Sequence, residues 1–345
     1  MNIGSIYGKL YWLGFAAAFL VMIPACESVL FIELEESDRL IVVNGAISND
    51  SIVSLQVSRT RHILDNAPLV PLENAEVKLY RGSSMLERLT YTGNAEYRSV
   101  EFKPYAGVEY AIEVESPGYP VVTSMCMIPE PVRIAALDTF TSVVDLCTPY
   151  YQQTMKTMQI DLTVDDPPGV ENYYMVDVEG DLSYTEWYDT TVMYIDSLYH
   201  KGEWHYYVND STYQLTNIVR YTDRISVGST DLIVEAITSD GILFSDQLID
   251  GKKYSVRFKT MTSNLASADS ALVSFRLHSI SESYYRYLKT RQKHYETRDN
   301  YLAVPVIVYS NIESGTGFFG GFSTDVYTIT TFVPEFEDYR YYEWY

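Results

Sequence analysis

The stretch "GTGFFGG", from Gly315 to Gly321, decides the fold class that the sequence predicts. Its glycines match the spacing G-x-G-x-x-G of dinucleotide-binding loops. Such a loop needs a following helix, whose N-terminus holds the pyrophosphate. Here "FSTDVYTITTFV" (Phe322–Val333) follows, and its alternating β-branched and aromatic residues predict a strand. We therefore interpret the motif as coincidental and expect no nucleotide or other cofactor. The glycines are predicted to form a tight connection between two strands.

The same stretch contains two neighbouring phenylalanines, Phe318 and Phe319. Two interpretations stand: both rings are buried beneath the glycine connection, or both project as contacts for a ligand or partner.

The remainder of the chain consists mostly of short segments typical of strands, separated by turn signals. Five such segments over residues 39–131 favour an immunoglobulin-like β-sandwich. Residues 132–345 predict a second domain of β-sandwich type, so the predicted fold class is mainly β with one packed α-helix. The predicted strands are Arg39–Ser48, Ser51–Thr60, Ala75–Arg81, Glu109–Ser116, Tyr119–Met127, Lys156–Asp166, Glu171–Gly180, Asp231–Ile237, Lys253–Thr260, Ala271–Ile280, Val304–Ile312 and Phe322–Val333.

One segment predicts a helix, at about residues 281–297. Ser279 and Glu282 have the spacing of a capping box. Tyr284, Tyr287 and Leu288 then recur at helical intervals, which favours a helix that packs on one end of the sandwich.

The N-terminus has the pattern of an export signal. An apolar run from Leu10 to Ile23 follows Lys9 and is too short for a comfortable membrane span. The run ends in Ile23-Pro24-Ala25-Cys26, which resembles the lipobox of bacterial lipoproteins. The resemblance implies that residues 1–25 are a signal peptide, that Cys26 is lipidated, and that residues 26–38 form a tether. The alternative is an ordinary secretory signal with a coincidental cysteine.

Charge and tyrosine content restrict the partners. The chain has 25 basic and 46 acidic residues, a net charge of −21, which repels phosphate backbones and argues against nucleic acid. Its 32 tyrosines suit both half-buried sheet positions and recognition surfaces.

An aromatic and polar insertion at residues 181–221 is the most suggestive surface. It could contact a small ligand, a glycan, a peptide or a protein partner, because tyrosine and tryptophan concentrate at interfaces. The alternative is that its rings pack on the sandwich. The predicted contacts are Trp187, Tyr188, Trp204, Tyr206 and Tyr207.

No pattern in the sequence predicts catalysis or metal binding. The motifs H-E-x-x-H, G-x-S-x-G and C-x-x-C and the phosphate-binding P-loop do not occur. His200 and His205 are interpreted as exposed polar residues, and the pair Asp165-Asp166 as part of a turn. We therefore expect no catalytic residue, no metal site and no enzyme activity.

Two cysteines remain after the lipobox, Cys126 and Cys147. Outside the cytoplasm they could form a disulfide. The alternative is two separate buried thiols.

Several segments in order resemble an uncharacterised family of Bacteroidota lipoproteins, domain of unknown function 4249. The resemblance covers nearly all of the chain after the signal peptide, and it names no catalytic residue. The segments that carry it are "LIVVNGAISND", "DDPPGVENYYMV", "LFSDQLIDGKKYSV", "HSISESYYRYLKTRQKHYE" and "PVIVYSNIESGTGFFGGFS".

Genes of this family commonly neighbour TonB-dependent outer-membrane receptors. The resemblance therefore implies a lipid-anchored outer-membrane accessory protein, exposed at the cell surface, that partners such a receptor in ligand capture or uptake. A free-standing surface adhesion protein is the alternative, and a surface hydrolase is a weaker one.

Overall fold

The computed structural model describes residues 38–61, 68–148, 151–261, 268–300 and 302–332. For residues 141–148, 151–156, 187–194, 196, 207–214, 261, 331 and 332 it describes the backbone alone. Within these ranges the protein is mainly β, with sheets in a sandwich-like arrangement and one α-helix, as the sequence predicts. The first eight strands are β1 (Ile41–Ser48), β2 (Ser54–Arg59), β3 (Val70–Pro71), β4 (Glu76–Arg81), β5 (Ser84–Gly93), β6 (Glu96–Arg98), β7 (Glu109–Glu115) and β8 (Val122–Met127).

The second half of the chain contains longer strands, the helix and a short 3-10 helix (Asp246–Leu248). Its elements are β9 (Ile134–Thr148), β10 (Tyr151–Asp165), β11 (Tyr173–His200), β12 (Glu203–Ile225), β13 (Val227–Gly228), β14 (Val234–Thr238), β15 (Gly241–Ser245), β16 (Lys253–Met261), β17 (Ser270–Ile280), α1 (Glu282–Thr297) and β18 (Thr316–Phe332).

Two sheets organise these strands. Fourteen of the described strands form one continuous sheet in the order β14-β15-β11-β17-β18-β1-β2-β6-β5-β4-β7-β8, with β12 added to β11 and β3 to β2. The other sheet has the order β13-β16-β10-β9. Apolar residues from both sheets pack together; Phe258 and Phe275, for example, lie with ring centroids 6.5 Å apart. Burial of these alternating apolar faces is the main stabilising contribution to such a sandwich.

The glycine stretch is not a connection between strands, contrary to the prediction. Residues from Thr316 onward lie inside β18, which pairs in parallel with β1 from Val42↔Thr316 to Ser48↔Phe322. A Cβ on Gly317 would come within 2.0 Å of the Val43 carbonyl oxygen, and one on Gly320 within 2.7 Å of the Cβ of Tyr284. The glycines therefore allow β18 to lie against β1 and α1 at distances that a side chain would prevent.

Strand β18 links the two predicted domains. Its first part pairs with β1, and its second part runs antiparallel to β17 from Ile280↔Phe322 to Ser270↔Phe332. The two larger clusters of buried apolar residues come from residues 41–128, joined by Ile312 and Phe319, and from residues 132–277. The division into two domains near residue 131, and the immunoglobulin-like assignment of the first, stay predictions.

Helix α1 forms where the sequence predicts it, but its cap differs. The N-cap is Ser281, whose hydroxyl accepts a hydrogen bond from the Tyr284 N–H at 3.3 Å. Ser279 instead accepts a hydrogen bond from the Val132 N–H at 3.1 Å. The helix buries Tyr285 and Leu288 against a small apolar cluster of the large sheet.

One predicted strand is wrong. Residues 304–311 run beside α1 without strand pairing, and two hydrogen bonds to the helix hold them there. The Tyr309 N–H donates to the Thr290 hydroxyl at 2.9 Å, and His294 Nδ1 lies 2.9 Å from the Val306 carbonyl. Because α1 supplies hydrogen-bond partners for the backbone of Val306 and Tyr309, residues 304–311 do not pair with a strand despite their β-branched side chains.

Candidate functional site

The predicted aromatic insertion at residues 181–221 lies in a long hairpin. Strands β11 and β12 pair without interruption from Val178↔Ile225 to His200↔Glu203. Lys201 and Gly202 form the turn, both with positive φ (50° and 90°), as a two-residue type I′ hairpin turn requires. Strand β17 accompanies β11 only as far as Ser183↔Ser270. Beyond that point, among the described residues, the ribbon pairs only with itself.

The end of this hairpin exposes a cluster of apolar side chains that we call the tip cluster: Ile195, Tyr199, Trp204 and Tyr206. The strand register places all four on one face of the ribbon, because Tyr199 is opposite Trp204 and Ser197 is opposite Tyr206. The rings of Tyr199 and Trp204 are 5.2 Å apart. The side chains remain 58–69 % exposed. Grouped exposed aromatic residues of this kind are typical of contact surfaces.

The predicted aromatic contacts divide into two groups. Trp204 and Tyr206 belong to the tip cluster and are accessible to a partner. For Trp187, Tyr188 and Tyr207 the backbone register is described, whereas their side chains lie outside the described residues. Their contact role stays a prediction.

Phe318 and Phe319 are buried and do not project as contacts. Phe319 is fully buried in the cluster of residues 41–128. Phe318 is 8 % exposed and stacks on Tyr284 and Tyr287, with centroid distances of 5.3 and 3.8 Å. Burial is therefore the correct interpretation, because Phe318 fills the space between β18 and α1 while Phe319 packs into the cluster of residues 41–128.

A cavity of about 350 Å³ lies at the base of the hairpin. At this point the strand that pairs with one edge of β11 changes from β15 (Val176↔Ile242) to β12 (Val178↔Ile225). Asp177 lies between these two pairs. The lining residues are Asp177, Arg224, Ile225, Ser226, Val227, Thr238, Ser239, Asp240 and Gly241.

One glycine forms the close wall of this cavity. Gly241 follows the Ser239-Asp240 turn between β14 and β15 and has φ +144°. A Cβ there would come within 2.3 Å of the Val176 carbonyl oxygen. Glycine thus allows the turn to approach β11, which places Asp240 beside Arg224.

Ion pairs surround the cavity. Arg276 donates to both oxygens of Asp177, at 2.6 and 3.1 Å. Arg291 of α1 donates to Asp240. Arg224, which is about half exposed, lies between the two carboxylates, 3.4 Å from Asp240 and 3.8 Å from Asp177.

Asp177 is ionised in this setting. Burial by itself would raise the pKa of Asp177, but the nearby His278 and the hydrogen bonds from Arg276 outweigh it and hold that pKa below its usual range. The two nitrogens of His278 differ: Nδ1 lies 2.8 Å from the Thr324 hydroxyl, whereas Nε2 lies 3.5 Å from Asp177 and has no regular hydrogen-bond partner. Sequence patterns give no signal for this network, since its members come from six parts of the chain: β11, β12, the β14–β15 turn, β17, α1 and β18.

A group of three carboxylates joins two loops. The ligand atoms of Asp166, Asp246 and Asp250 lie within 4.8 Å of one another. The buried Asp166 accepts hydrogen bonds from the Tyr174 hydroxyl at 2.5 Å and the Gly251 N–H at 2.9 Å. Burial and the neighbouring carboxylates raise the pKa of Asp246. The predicted turn role is wrong for Asp165, which ends β10 opposite Lys253, whereas Asp166 lies in the connection after β10 and makes a tertiary contact that the sequence pattern does not reveal.

The histidines and cysteines named in the sequence analysis do not form a common site among the described residues. His200 and His205 are exposed beside the hairpin turn, as expected. Cys126 is buried, and burial raises the pKa of its thiol well above the usual range. The side chain of Cys147 lies outside the described residues, so the pairing of the two cysteines stays a prediction. Cys26 and residues 1–25 also lie outside the described ranges.

Over the described ranges, these observations define a mainly β, sandwich-like protein with one packed helix and a long hairpin. The family model described as "Domain of unknown function (DUF4249)" matches residues 27–328, and the chain belongs to this family. No curated protein matches the chain. In the part of the chain that the structure describes, no helix is long and apolar enough to span a membrane.

Proposed function

We propose that this protein is a lipid-anchored outer-membrane accessory protein that binds a TonB-dependent transporter and takes part in ligand capture. The lipobox-like sequence at Cys26 and the family resemblance support the anchor and the kind of partner. The observation that carries the proposal is the tip cluster, which presents three aromatic rings, each more than half exposed, at the end of a projecting ribbon.

The physical argument for a partner rests on the cost of this exposure. A two-stranded ribbon in water is marginally stable without further packing. Tyrosine and tryptophan dominate the binding energy of protein interfaces because they bury a large area with little loss of rotamer freedom. A partner that covers the tip cluster would add the packing that the ribbon lacks.

The dimensions fit a protein that reaches a neighbour in the same membrane. The hairpin from Asp177 to Tyr199 measures roughly 70 Å along β11 at ordinary strand rise. The tip cluster can therefore lie well away from the two cores and contact a separate protein.

The experiment is a mild-detergent purification of the tagged, lipidated protein from its own cells, with its partners identified by mass spectrometry. We expect a stoichiometric TonB-dependent receptor. The double variant Trp204→Ala/Tyr206→Ala should reduce receptor recovery at least tenfold, since aromatic interface anchors commonly contribute about 2 kcal/mol or more each. Tyr105→Ala is the matched control, because Tyr105 is 63 % exposed but lies outside the hairpin.

Two outcomes would contradict parts of the proposal. A membrane-bound protein without any receptor would favour the alternative of a free-standing adhesion protein. Equal receptor recovery with the double variant and with Tyr105→Ala would leave the receptor as a partner but would remove the tip cluster as the contact.

A further inference from the structure

We propose that the cavity at the base of the hairpin binds a neutral, hydroxyl-rich ligand, a single sugar unit. This inference goes beyond the partner contact of the tip cluster, because the cavity is a separate site. Its volume of about 350 Å³ lies at the lower end of the range for small-ligand pockets.

Charge balance decides the class of ligand. An anion bound to Arg224 would lie beside the carboxylates of Asp177 and Asp240. A cation bound to those carboxylates would meet the guanidinium groups of Arg224, Arg276 and Arg291. Ions of either sign therefore encounter like charge, whereas a neutral ligand does not.

The polar groups of the cavity can donate and accept hydrogen bonds at once. The contacts of Arg224 are long: its N–H groups lie 3.4 Å from the Ser239 carbonyl and 3.4 Å from Asp240. Arg224 consequently retains donor capacity for a ligand oxygen. Asp177 is held ionised and fixed by Arg276, so its carboxylate can accept from a ligand hydroxyl. Adjacent hydroxyls of a sugar present this combination of donor and acceptor, and charged partners strengthen such bonds.

The geometry also limits the size of the ligand. The floor is the buried Asp177, and the close approach of Gly241 to Val176 forms one wall. A free sugar or the terminal unit of a glycan matches this volume, whereas an internal glycan unit, which is extended at both ends, exceeds it. Both sources present the same chemistry.

The test is a titration of the full-length protein in a detergent without a sugar headgroup. The neutral probes are glucose, galactose, mannose and N-acetylglucosamine; galacturonate and glucosamine are the charged probes. We expect at least one neutral sugar to bind with a Kd at or below about 10 mM, and more tightly than either charged probe. A trisaccharide of the same unit distinguishes a glycan terminus from a free sugar, and binding of either supports the proposal.

Variants connect the binding to the cavity. Arg224→Gln should weaken binding at least tenfold, while Arg220→Gln, which lies on the same strand and the same face, should leave it unchanged. Ser239→Tyr narrows the cavity at an exposed turn, without changing an ion-pairing side chain, and should also abolish binding. Binding of no neutral sugar, tighter binding of a charged probe, or equal loss in Arg220→Gln would each overturn the proposal.

Discussion

Replacing Gly320 by alanine tests the reason for the glycine stretch. Gly320 does not have a positive φ, so alanine costs nothing in backbone strain there. Its Cβ would lie 2.7 Å from the Cβ of Tyr284 and 3.4 Å from the Ser281 hydroxyl. Carbon atoms in contact prefer about 3.5–4.0 Å, so β18 and α1 would have to separate by roughly 1 Å.

The magnitude follows from this overlap. Inserting a methyl group into a packed region typically costs about 1–3 kcal/mol of unfolding free energy. For a chain of this size we expect the Tm to fall by roughly 2 °C per kcal/mol, a loss of about 2–6 °C. Urea denaturation followed by circular dichroism gives the free energy directly.

Gly228→Ala is the matched control. Gly228 also lies in a strand and has ordinary φ, but a Cβ there has no neighbour within 4 Å. Alanine should leave stability unchanged or raise it by up to about 1 kcal/mol, through the unfolded chain. If Gly320→Ala behaves like this control, the glycine permits flexibility and not close packing, and our reasoning is refuted.

Three further predictions concern buried polar groups. Asp177→Asn should lower the unfolding free energy by about 3–5 kcal/mol at neutral pH. Because the pKa of Asp177 is depressed in the folded state, its contribution to the unfolding free energy is present above the unfolded pKa of about 3.9 and is lost as the pH falls through the folded pKa. The difference in unfolding free energy between the variant and the natural protein, measured by urea denaturation, should therefore shrink in acid. Cys126 should resist alkylation in the folded protein and react in urea without reductant; failure to react in urea would indicate a disulfide. Ser281→Ala should lower the unfolding free energy by about 1–2 kcal/mol, because it removes the helix cap and the acceptor that lies 3.0 Å from the buried Gly321 N–H. A loss of less than about 0.3 kcal/mol in urea denaturation would contradict this.

The sequence predicts strands well where buried and exposed residues alternate one by one along the chain. In β7, Tyr110, Ile112 and Val114 are buried and their neighbours are more exposed, which is the period of two that identifies a half-buried strand. The same logic places α1, whose apolar residues recur at helical spacing. This logic fails for the hairpin β11–β12. Its side chains at residues 197–206 are exposed on both faces, and such a ribbon needs no hydrophobic alternation in its sequence.

Tertiary context accounts for the errors. Gly320 and Gly321 resemble a turn locally, but they lie in a strand because α1 and β8 approach it closely. Residues 304–311 resemble a strand locally, but Thr290 and His294 of the helix bind their backbone. The cavity could not be predicted, since Asp177, Arg224 and Asp240 belong to three parts of the chain that only the fold brings together.

The central claim is that the tip cluster contacts a TonB-dependent transporter, and site-specific photo-crosslinking in living cells tests it most directly. A benzophenone amino acid would replace Tyr206 in one strain and Tyr105 in another, with equal illumination. We predict a covalent adduct with a TonB-dependent receptor from position 206 and none from position 105. No receptor adduct at position 206, or the same adduct from both positions, would contradict the claim.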